Sequence, residues 1–223
     1  MAQTTPESPP PPLKPPFSWR AETEEWVRTI VFGLLWYFCI ITFVVEAYKI
    51  PSNSMLPTLF GSDDFAQGDR VLAIKALDQF GSLRRGDVIV FISVEKSSQL
   101  KRLVKRLVAF PGETVEIVET APCQHKSGFD GRQDGKLAIN GKVVTDPPIF
   151  LDLRYEPDRR LALGKTLTVP PGHYLVLGDN THSSNDGRMW GPLPQENVLG
   201  RALFVWWKPG RLSSLNPNRQ RLK

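Results

Sequence analysis

The sequence predicts a mainly β protein, in which an antiparallel β-sheet ectodomain follows one N-terminal transmembrane helix. Two observations predict this class. An uncharged apolar segment covers residues 29–45, close to the N-terminus. After residue 60, short segments rich in β-branched and aromatic residues alternate with turn signals, and no long amphipathic helical pattern follows. With 223 residues, the chain is long enough to bury a core in one or two domains.

The N-terminal region combines a proline-rich tail with the apolar segment. Residues 1–16 contain seven prolines, a composition that buries too little apolar surface to offset the entropy of ordering. We therefore predict that residues 1–25 form a disordered, proline-rich tail. As a helix, residues 29–45 would span about 25 Å, which is slightly less than the thickness of a bilayer core.

We extend the predicted membrane span to residues 26–48, because Trp26, Trp36 and Tyr48 suit the membrane interface. No small-x-small cleavage site follows this segment, which favours an uncleaved signal-anchor over a removable signal peptide. The other alternative is a buried core helix, but the segment is apolar on every side and follows a disordered tail.

Flanking charges predict the orientation of this helix. Lys14, Arg20 and Arg28 precede it, whereas Lys49 is the only basic residue among the twenty that follow it. The positive-inside rule then puts the N-terminal tail in the cytoplasm. Residues 50–223 are expected on the opposite, periplasmic or lumenal side of the membrane.

The remainder of the chain predicts an antiparallel β-domain. Asn140-Gly141 is typical of a tight hairpin turn between two of its strands. The predicted strands are Arg70–Lys75, Asp87–Ser93, Thr114–Val118, Lys136–Ile139, Lys142–Val144, Thr166–Val169, Tyr174–Leu177 and Ala202–Trp207. We expect a β core from residues 49–118 and 170–208, a smaller inserted β subdomain at 119–169, and a basic C-terminal tail at 209–223.

Composition excludes several kinds of site and partner. The net charge is +5, without a basic block interleaved with aromatic residues, so no nucleic-acid partner is expected. Cys39 lies inside the apolar segment and Cys123 in the later part of the chain, so the two are not expected to pair. His125, His173 and His182 lack the spacing of metal ligands, and we expect no metal and no cofactor.

The segment Pro51–Leu59 (PSNSMLPTL) directly follows the apolar segment and contains two serines, Ser52 and Ser54. Pro51 and Pro57 restrict the backbone on both sides of them. Such a stiff segment suits a nucleophile, because it can hold one oxygen at a fixed angle to a substrate carbonyl. A simple turn after a helix is the alternative, since Ser, Asn and Pro are common in turns.

Lys105 lies in a strand-like apolar run between Val104 and Leu107. Its side chain either points to solvent or is partly buried. If it is buried, loss of solvation lowers its pKa and lets the neutral amine act as a general base. The neighbouring Arg106 cannot do so, because a guanidinium does not deprotonate in proteins.

Two further segments are rich in polar residues. The loop at residues 178–191 is either a structural loop held by Asp–Arg pairing or a metal site of Asp179 and Asp186 without further ligands. Gly68-Asp69-Arg70-Val71 by itself is typical of a turn.

Taken together, these segments resemble the bacterial type I signal peptidases, which are membrane-bound Ser–Lys proteases. The resemblance rests on PSNSMLPTL at 51–59, KRLVAFPGE at 105–113 and GDNTHSSNDGRMWG at 178–191, in this order after a transmembrane helix. It covers about residues 26–207. The single span and short chain are similar to the cyanobacterial and Gram-positive forms.

The resemblance implies a role for individual residues. Ser54 would be the nucleophile, and Lys105 the general base that takes its proton and returns it to the leaving amine. Ser52 would complete an oxyanion hole with the backbone N–H of Ser54. Ser184 would orient the Lys105 amine.

The resemblance also implies the surroundings of these residues. Asp186 and Arg188 would support the loop as an ion pair. The shallow pockets for small substrate residues would be lined by Ile50, Pro51, Met55, Leu59 and Val104.

The implied function is removal of N-terminal signal peptides from exported preproteins, after an Ala-x-Ala-type site. The implied partners are preproteins and the lipid bilayer, near the secretion translocase. The implied location is the inner (plasma) membrane or a thylakoid membrane.

One alternative is a self-cleaving Ser–Lys repressor-type protease, although these are soluble. The other is a non-catalytic, membrane-anchored β-domain that binds secreted proteins. The sequence leaves the oligomeric state open.

Overall fold

A computed structural model describes the chain at residues 19–64, 67–75, 83–94, 102–119, 134–207 and 213–215. It divides into two compact units, one up to Ile40 and one from Ile41 onward. Most of the predicted N-terminal tail, most of the predicted C-terminal tail, Cys123 and His125 lie outside the described residues.

The first unit is dominated by a long helix. Helix α1 covers Trp19–Cys39, and a π-helical turn covers Ile40–Val44. From Glu22 to Val44 the helical segment is long and apolar enough to cross a membrane, and none of its most apolar part is buried within the protein. The predicted membrane-spanning segment is therefore helical over most of its length.

The C-terminal boundary of this helix differs from the prediction. Val45–Lys49, expected at the end of the span, form strand β1 and pair with β2 (Arg70–Ile74) in antiparallel register. Tyr48 is 6% exposed and packs in the β core, so it does not serve as an interface anchor. Ala47 and Tyr48 are compatible with the interfacial end of a membrane helix as well as with a strand, so the sequence by itself did not separate the two.

The second unit is mainly antiparallel β, as predicted, and contains two sheets. The larger sheet has eight strands, which are β1, β2, β3 (Val88–Ile92), β4 (Arg102–Ala109), β9 (His173–Leu177), β10 (Leu193–Pro194), β11 (Val198–Trp207) and β12 (Ser213–Ser214). Their order is β1-β2-β11-β3-β4-β9-β10, with β12 paired to β11.

The smaller sheet has four strands, β5 (Thr114–Glu119), β6 (Gly135–Ile139), β7 (Lys142–Val143) and β8 (Thr166–Thr168). Their order is β7-β6-β5-β8. The sheet begins at Thr114, before the predicted start of the inserted subdomain at residue 119. The predicted hairpin turn is present, with positive φ angles of 50° at Asn140 and 75° at Gly141.

Three apolar clusters fill the β unit. One lies mainly between the smaller sheet and helix α2 (Ile149–Asp152), and a second packs Ile89 and Phe91 of β3 against β9 and β10. The third cluster brings residues of the segment after β1 against β2, β3 and β4. This third cluster positions the candidate site, because it fixes the Ser54 segment beside the strand that carries Lys105.

Candidate active site

Ser54 lies in one turn of 3₁₀-helix, Asn53–Met55, and three residues separate this turn from the end of β1 at Lys49. Apolar packing anchors this turn, because Met55 and Leu59 are fully buried in the third apolar cluster. A hydrogen bond also holds it, since the Gly61 N–H donates to Asn53 Oδ1 at 3.0 Å. This apolar and polar anchoring leaves the Ser54 side chain at a fixed, partly buried position.

Lys105 lies in β4, opposite Ile89 of β3, and only 2% of the residue is exposed. Its Nζ donates a hydrogen bond to Ser54 Oγ. Ser52 Oγ lies 3.2 Å from the same Ser54 oxygen. Three residues that the sequence singled out, two of them 51 positions apart, therefore meet at one oxygen.

Burial lowers the pKa of Lys105 from 10.5 to about 8, since desolvation penalises the ammonium form. The carboxylates of Asp186 and Asp179 oppose this shift, and the Arg188 guanidinium reinforces it. A lysine with this pKa is neutral in roughly a tenth of the molecules at pH 7, far more often than a lysine at its usual pKa. Its amine can therefore accept a proton, which a lysine at its usual pKa cannot do efficiently.

The loop that follows β9 holds the backbone of the Ser54 turn. The Asn180 backbone N–H donates to the Ser54 carbonyl oxygen, and its side-chain amide donates to the Asn53 carbonyl oxygen, both at 3.0 Å. Gly178 makes this approach possible. A Cβ at Gly178 would lie 2.1 Å from Ser184 Oγ and 2.5 Å from the Ser54 carbonyl oxygen, so only glycine fits there without displacement.

Asp186 and Arg188 form the predicted ion pair within this loop. Arg188 Nε and Nη2 donate to the two carboxylate oxygens of Asp186, both at 2.9 Å, and both side chains are buried. Asp186 also accepts from the Gly178 N–H at 2.9 Å, while Arg188 donates to the Thr181 carbonyl oxygen at 2.7 Å. The pair thus ties the loop to the end of β9, and an Asp186 oxygen caps the short helix α3 (Gly187–Trp190).

Ser184 lies against Gly178, next to the Ser54 carbonyl oxygen. Its hydroxyl oxygen is buried and has no hydrogen-bond partner among the described residues. The structure therefore brings Ser184 to the site without the expected hydrogen bond to Lys105, and its role in orienting the amine stays a prediction.

The expected apolar floor is assembled as one patch. Ile50, Met55, Leu59 and Val104 are all buried and belong to the third apolar cluster, and Pro51 is partly buried beside them. The described residues contain no group of three metal-ligating side chains. Asp179 and Asp186, considered above as metal ligands, are each paired with an arginine instead.

A buried pair that sequence reasoning did not assign also supports the site. Arg106, the neighbour of Lys105, donates to both carboxylate oxygens of Asp179 at 2.7 and 2.5 Å. Thr58 of the Ser54 segment donates to Asp179 at 2.5 Å. The signal was the arginine in an apolar strand, because a buried guanidinium requires a carboxylate partner.

Comparison with known proteins identifies the family of this chain. The family described as "Signal peptidase, peptidase S26" matches residues 23–207. The chain belongs to this family. It is 34% identical to "Signal peptidase I" of Leptolyngbya laminosa over 86% of this chain and 84% of the relative. It is 34% identical to "Probable signal peptidase I-1" of Synechocystis over 83% and 81% of the two chains, respectively.

Two further similarities extend the comparison. The chain is 34% identical to "Probable thylakoidal processing peptidase 2, chloroplastic" of Arabidopsis thaliana, over 77% of this chain and 41% of that longer protein. A crystal structure of a signal peptidase I from Enterococcus faecalis is 30% identical, covering 54% of this chain and 96% of its own, with a TM-score of 0.37. Family membership indicates that this chain is a serine peptidase.

Proposed function

We propose that this chain is a membrane-anchored endopeptidase that removes N-terminal signal peptides from exported preproteins, with Ser54 as nucleophile and Lys105 as general base. One observation carries the proposal: the amine of a lysine that is 2% exposed contacts the hydroxyl oxygen of Ser54. A serine hydroxyl is a weak nucleophile at neutral pH and requires an adjacent base. A non-catalytic binding domain would have no use for this pairing.

The chemistry follows from the protonation state of Lys105. In its neutral form the amine accepts the Ser54 proton while the oxygen attacks the scissile carbonyl carbon, which gives a tetrahedral oxyanion. The resulting ammonium then donates that proton to the leaving amine as the peptide bond breaks. Lys105, neutral again, accepts a proton from the water that hydrolyses the acyl-enzyme and returns it to Ser54 Oγ as the product acid leaves.

The oxyanion is stabilised by two donors in this proposal. Ser52 Oγ, which lies 3.2 Å from Ser54 Oγ, supplies one hydrogen bond, and the backbone N–H of Ser54 supplies the other. Removal of a single such donor typically costs about 2.7–4 kcal/mol of transition-state stabilisation. Ser52→Ala is therefore expected to lower kcat by about 10²–10³-fold.

The substrate lies extended between the Ser54 segment and β4 and adds a strand to the site. Its first and third side chains before the cut rest on the buried patch of Ile50, Met55, Leu59 and Val104. A shallow apolar floor accepts a methyl group but is overfilled by a large side chain. A charged substrate side chain would lie on this floor without a partner. The enzyme should therefore cleave after Ala-x-Ala.

The membrane anchor is helix α1, whose apolar length supports a single span. With the N-terminal tail in the cytoplasm, the β unit meets preproteins after they cross the plasma or thylakoid membrane. Proximity to the secretion translocase follows from this placement.

Cleavage of a synthetic precursor tests the proposal directly. The full-length protein in detergent should cut an Ala-x-Ala peptide at the predicted bond, as read by mass spectrometry. Ser54→Ala, Lys105→Ala and their double mutant should be equally inactive, because residues that act as a unit are not additive. Lys105→Arg should also be inactive, whereas His173→Ala and His182→Ala should retain activity.

Two results would count against the proposal. Near-normal turnover by either single mutant would remove Ser54 or Lys105 from the mechanism. Efficient cleavage after Phe or Lys would show that the apolar patch is not the floor of the substrate site, because Phe would overfill that floor and Lys would leave a charge there without a partner.

A further inference from the structure

Two strand edges face each other beside Ser54 and Lys105. β1 is the terminal strand of the larger sheet and pairs with β2 along one edge. β9 pairs with β4 only from Arg106 onward, so within the described part of the chain no strand pairs with the second edge of residues 102–105. The contact between Lys105 and Ser54 joins the two sides of this gap at one end.

A charged cluster joins the same two strands at the other end. Arg102 Nη1 donates to Glu46 Oε1 at 3.1 Å, and the Arg102 guanidinium carbon lies 5.5 Å from the centre of the Tyr48 ring. The Tyr48 hydroxyl donates to Glu46 Oε2 at 2.8 Å. Lys75 Nζ lies 3.8 Å from the same carboxylate oxygen. One carboxylate thus faces two cations, and the cluster carries surplus positive charge.

This cluster continues the apolar floor of the site. Tyr48 lies in β1 and Ile50 directly follows that strand, where its backbone N–H donates to the Asp69 carbonyl oxygen at 3.0 Å. Tyr48 and Ile50 are two residues apart, as are Arg102 and Val104 on β4, so each pair shares a face. Tyr48, Ile50 and Val104 belong to one apolar cluster, which shows that the two faces meet. The Arg102 side chain is 59% exposed, so its guanidinium remains accessible to a ligand.

We infer that Arg102 and Glu46 form a charged subsite for the substrate side chain five residues before the cut, which accepts an acidic side chain and rejects a basic one. The inference rests on the proposed function. Every second side chain of an extended substrate faces the floor, so the fifth follows the third after about 6.6 Å. Arg102 lies two residues before Val104 on β4, which gives the two side chains the same spacing.

The cluster of Arg102, Lys75 and Glu46 has a surplus positive charge, so we expect it to prefer an acidic substrate side chain. An acidic side chain at the fifth position replaces Glu46 as the partner of Arg102, while Glu46 keeps Lys75 and the Tyr48 hydroxyl. A basic side chain instead lies next to Arg102 and Lys75. Because these charges are partly exposed, kcat/KM should differ about two- to five-fold between an acidic and an uncharged side chain at the fifth position, and by a similar factor between an uncharged and a basic one.

The test compares four peptides that differ only at the fifth position before the cut, carrying Asp, Ala, Gln or Lys. The wild-type full chain in neutral detergent should cleave the Asp peptide best and the Lys peptide worst. Arg102→Gln should cleave all four at similar kcat/KM. Arg102→Glu should reverse the order. Arg159→Glu, which makes the same charge change in an exposed turn outside both sheets, should keep the wild-type order.

The outcomes separate this inference from the proposed function. If the wild-type protein cleaves none of the peptides, the proposed function fails. If it cleaves all four equally well, or if Arg102→Glu keeps the wild-type order, the subsite is overturned while the proposed function stands. Thermal unfolding of Arg102→Gln and Arg102→Glu in the same detergent, compared with the wild type, controls for folding.

A second arm addresses lipid as the other possible ligand of these cations. The same assay is run in phosphatidylcholine vesicles with and without phosphatidylglycerol. An effect of Arg102→Gln that depends on the anionic lipid but not on the peptide charge would assign the cluster to lipid phosphate and overturn the inference. A dependence on peptide charge in both vesicles supports it.

Discussion

Arg106 and Asp179 form a two-point ion pair that is fully shielded from solvent, with both side chains 0% exposed. Arg106 adjoins Lys105 on β4, and Asp179 adjoins Asn180, whose backbone N–H holds the Ser54 carbonyl oxygen at 3.0 Å. The pair therefore connects the strand of the proposed base to the loop that holds the proposed nucleophile. Its burial makes it costly to break, which keeps the two elements in register.

The first prediction concerns the stability of this pair. Asp179→Asn should lower the free energy of unfolding by about 3–5 kcal/mol, because it leaves the Arg106 charge buried without its counter-charge. Denaturant unfolding of the full chain in detergent, followed by tryptophan fluorescence, measures this. Asp63→Asn is the control at an exposed carboxylate, where about 0.5 kcal/mol or less is expected.

A double mutant separates the buried charge from the lost contact. Arg106→Met with Asp179→Leu removes both charges and should be more stable than Asp179→Asn alone. If the double mutant were the less stable of the two, the lost hydrogen bonds, and not the unpaired charge, would account for most of the destabilisation.

The second prediction concerns the pH dependence of activity. Burial lowers the pKa of Lys105 to about 8, so the amine is protonated below that pH and neutral above it. Log kcat/KM should therefore rise with unit slope as the pH increases towards 8, and then level off. Peptide cleavage between pH 5 and 10 measures this, and a midpoint near the usual histidine value of about 6.5 would point to a different base.

The same pKa predicts how stability depends on pH. In the unfolded chain Lys105 returns to its usual pKa of 10.5, so between pH 8 and 10.5 the unfolded state binds more protons than the folded state. Stability should rise with pH across this window, since burying the ammonium form is unfavourable below it. Lys105→Met should lack this contribution, and equal slopes for the two proteins would contradict the assignment.

The third prediction concerns Gly178. Gly178→Ala should abolish most peptide cleavage, because the added Cβ would lie 2.5 Å from the Ser54 carbonyl oxygen and must displace the turn or the loop. The control is Gly33→Ala in α1, where no atom lies within 4 Å of the added Cβ. Full activity of Gly178→Ala would mean that the proposed nucleophile tolerates a shift of its backbone.

The fourth prediction concerns membrane orientation. Lys14, Arg20 and Arg28 precede the helix while Lys49 alone closely follows it, so the β unit should face away from the cytoplasm. Protease added outside intact spheroplasts should degrade the β unit and spare an epitope tag on the N-terminus. Protection of the β unit, with its degradation only after lysis, would reverse the orientation.

Local sequence was sufficient for much of the fold. The β-branched and apolar residues of Arg70–Ile74 and the Asn140-Gly141 turn predicted a strand and a hairpin that the structure contains. Short-range backbone preferences decide such features. β1 could not be predicted in this way, because Ala47 and Tyr48 also suit the interfacial end of a membrane helix, and only pairing with β2 makes this segment a strand.

By itself, the sequence determined the order of the motifs, the apolar segment, and the residue types on which the chemistry depends, Ser54 and Lys105 among them. Only the tertiary structure decided that these two side chains touch, since 51 residues separate them and no local preference acts over that distance. It also decided the lowered pKa of Lys105, because desolvation exists only once the surrounding strands have buried the amine. The tertiary structure likewise decided the ion pair of Arg106 and Asp179, which are 73 residues apart. A buried charge requires a counter-charge nearby in space, and the sequence separation does not indicate which residue supplies it.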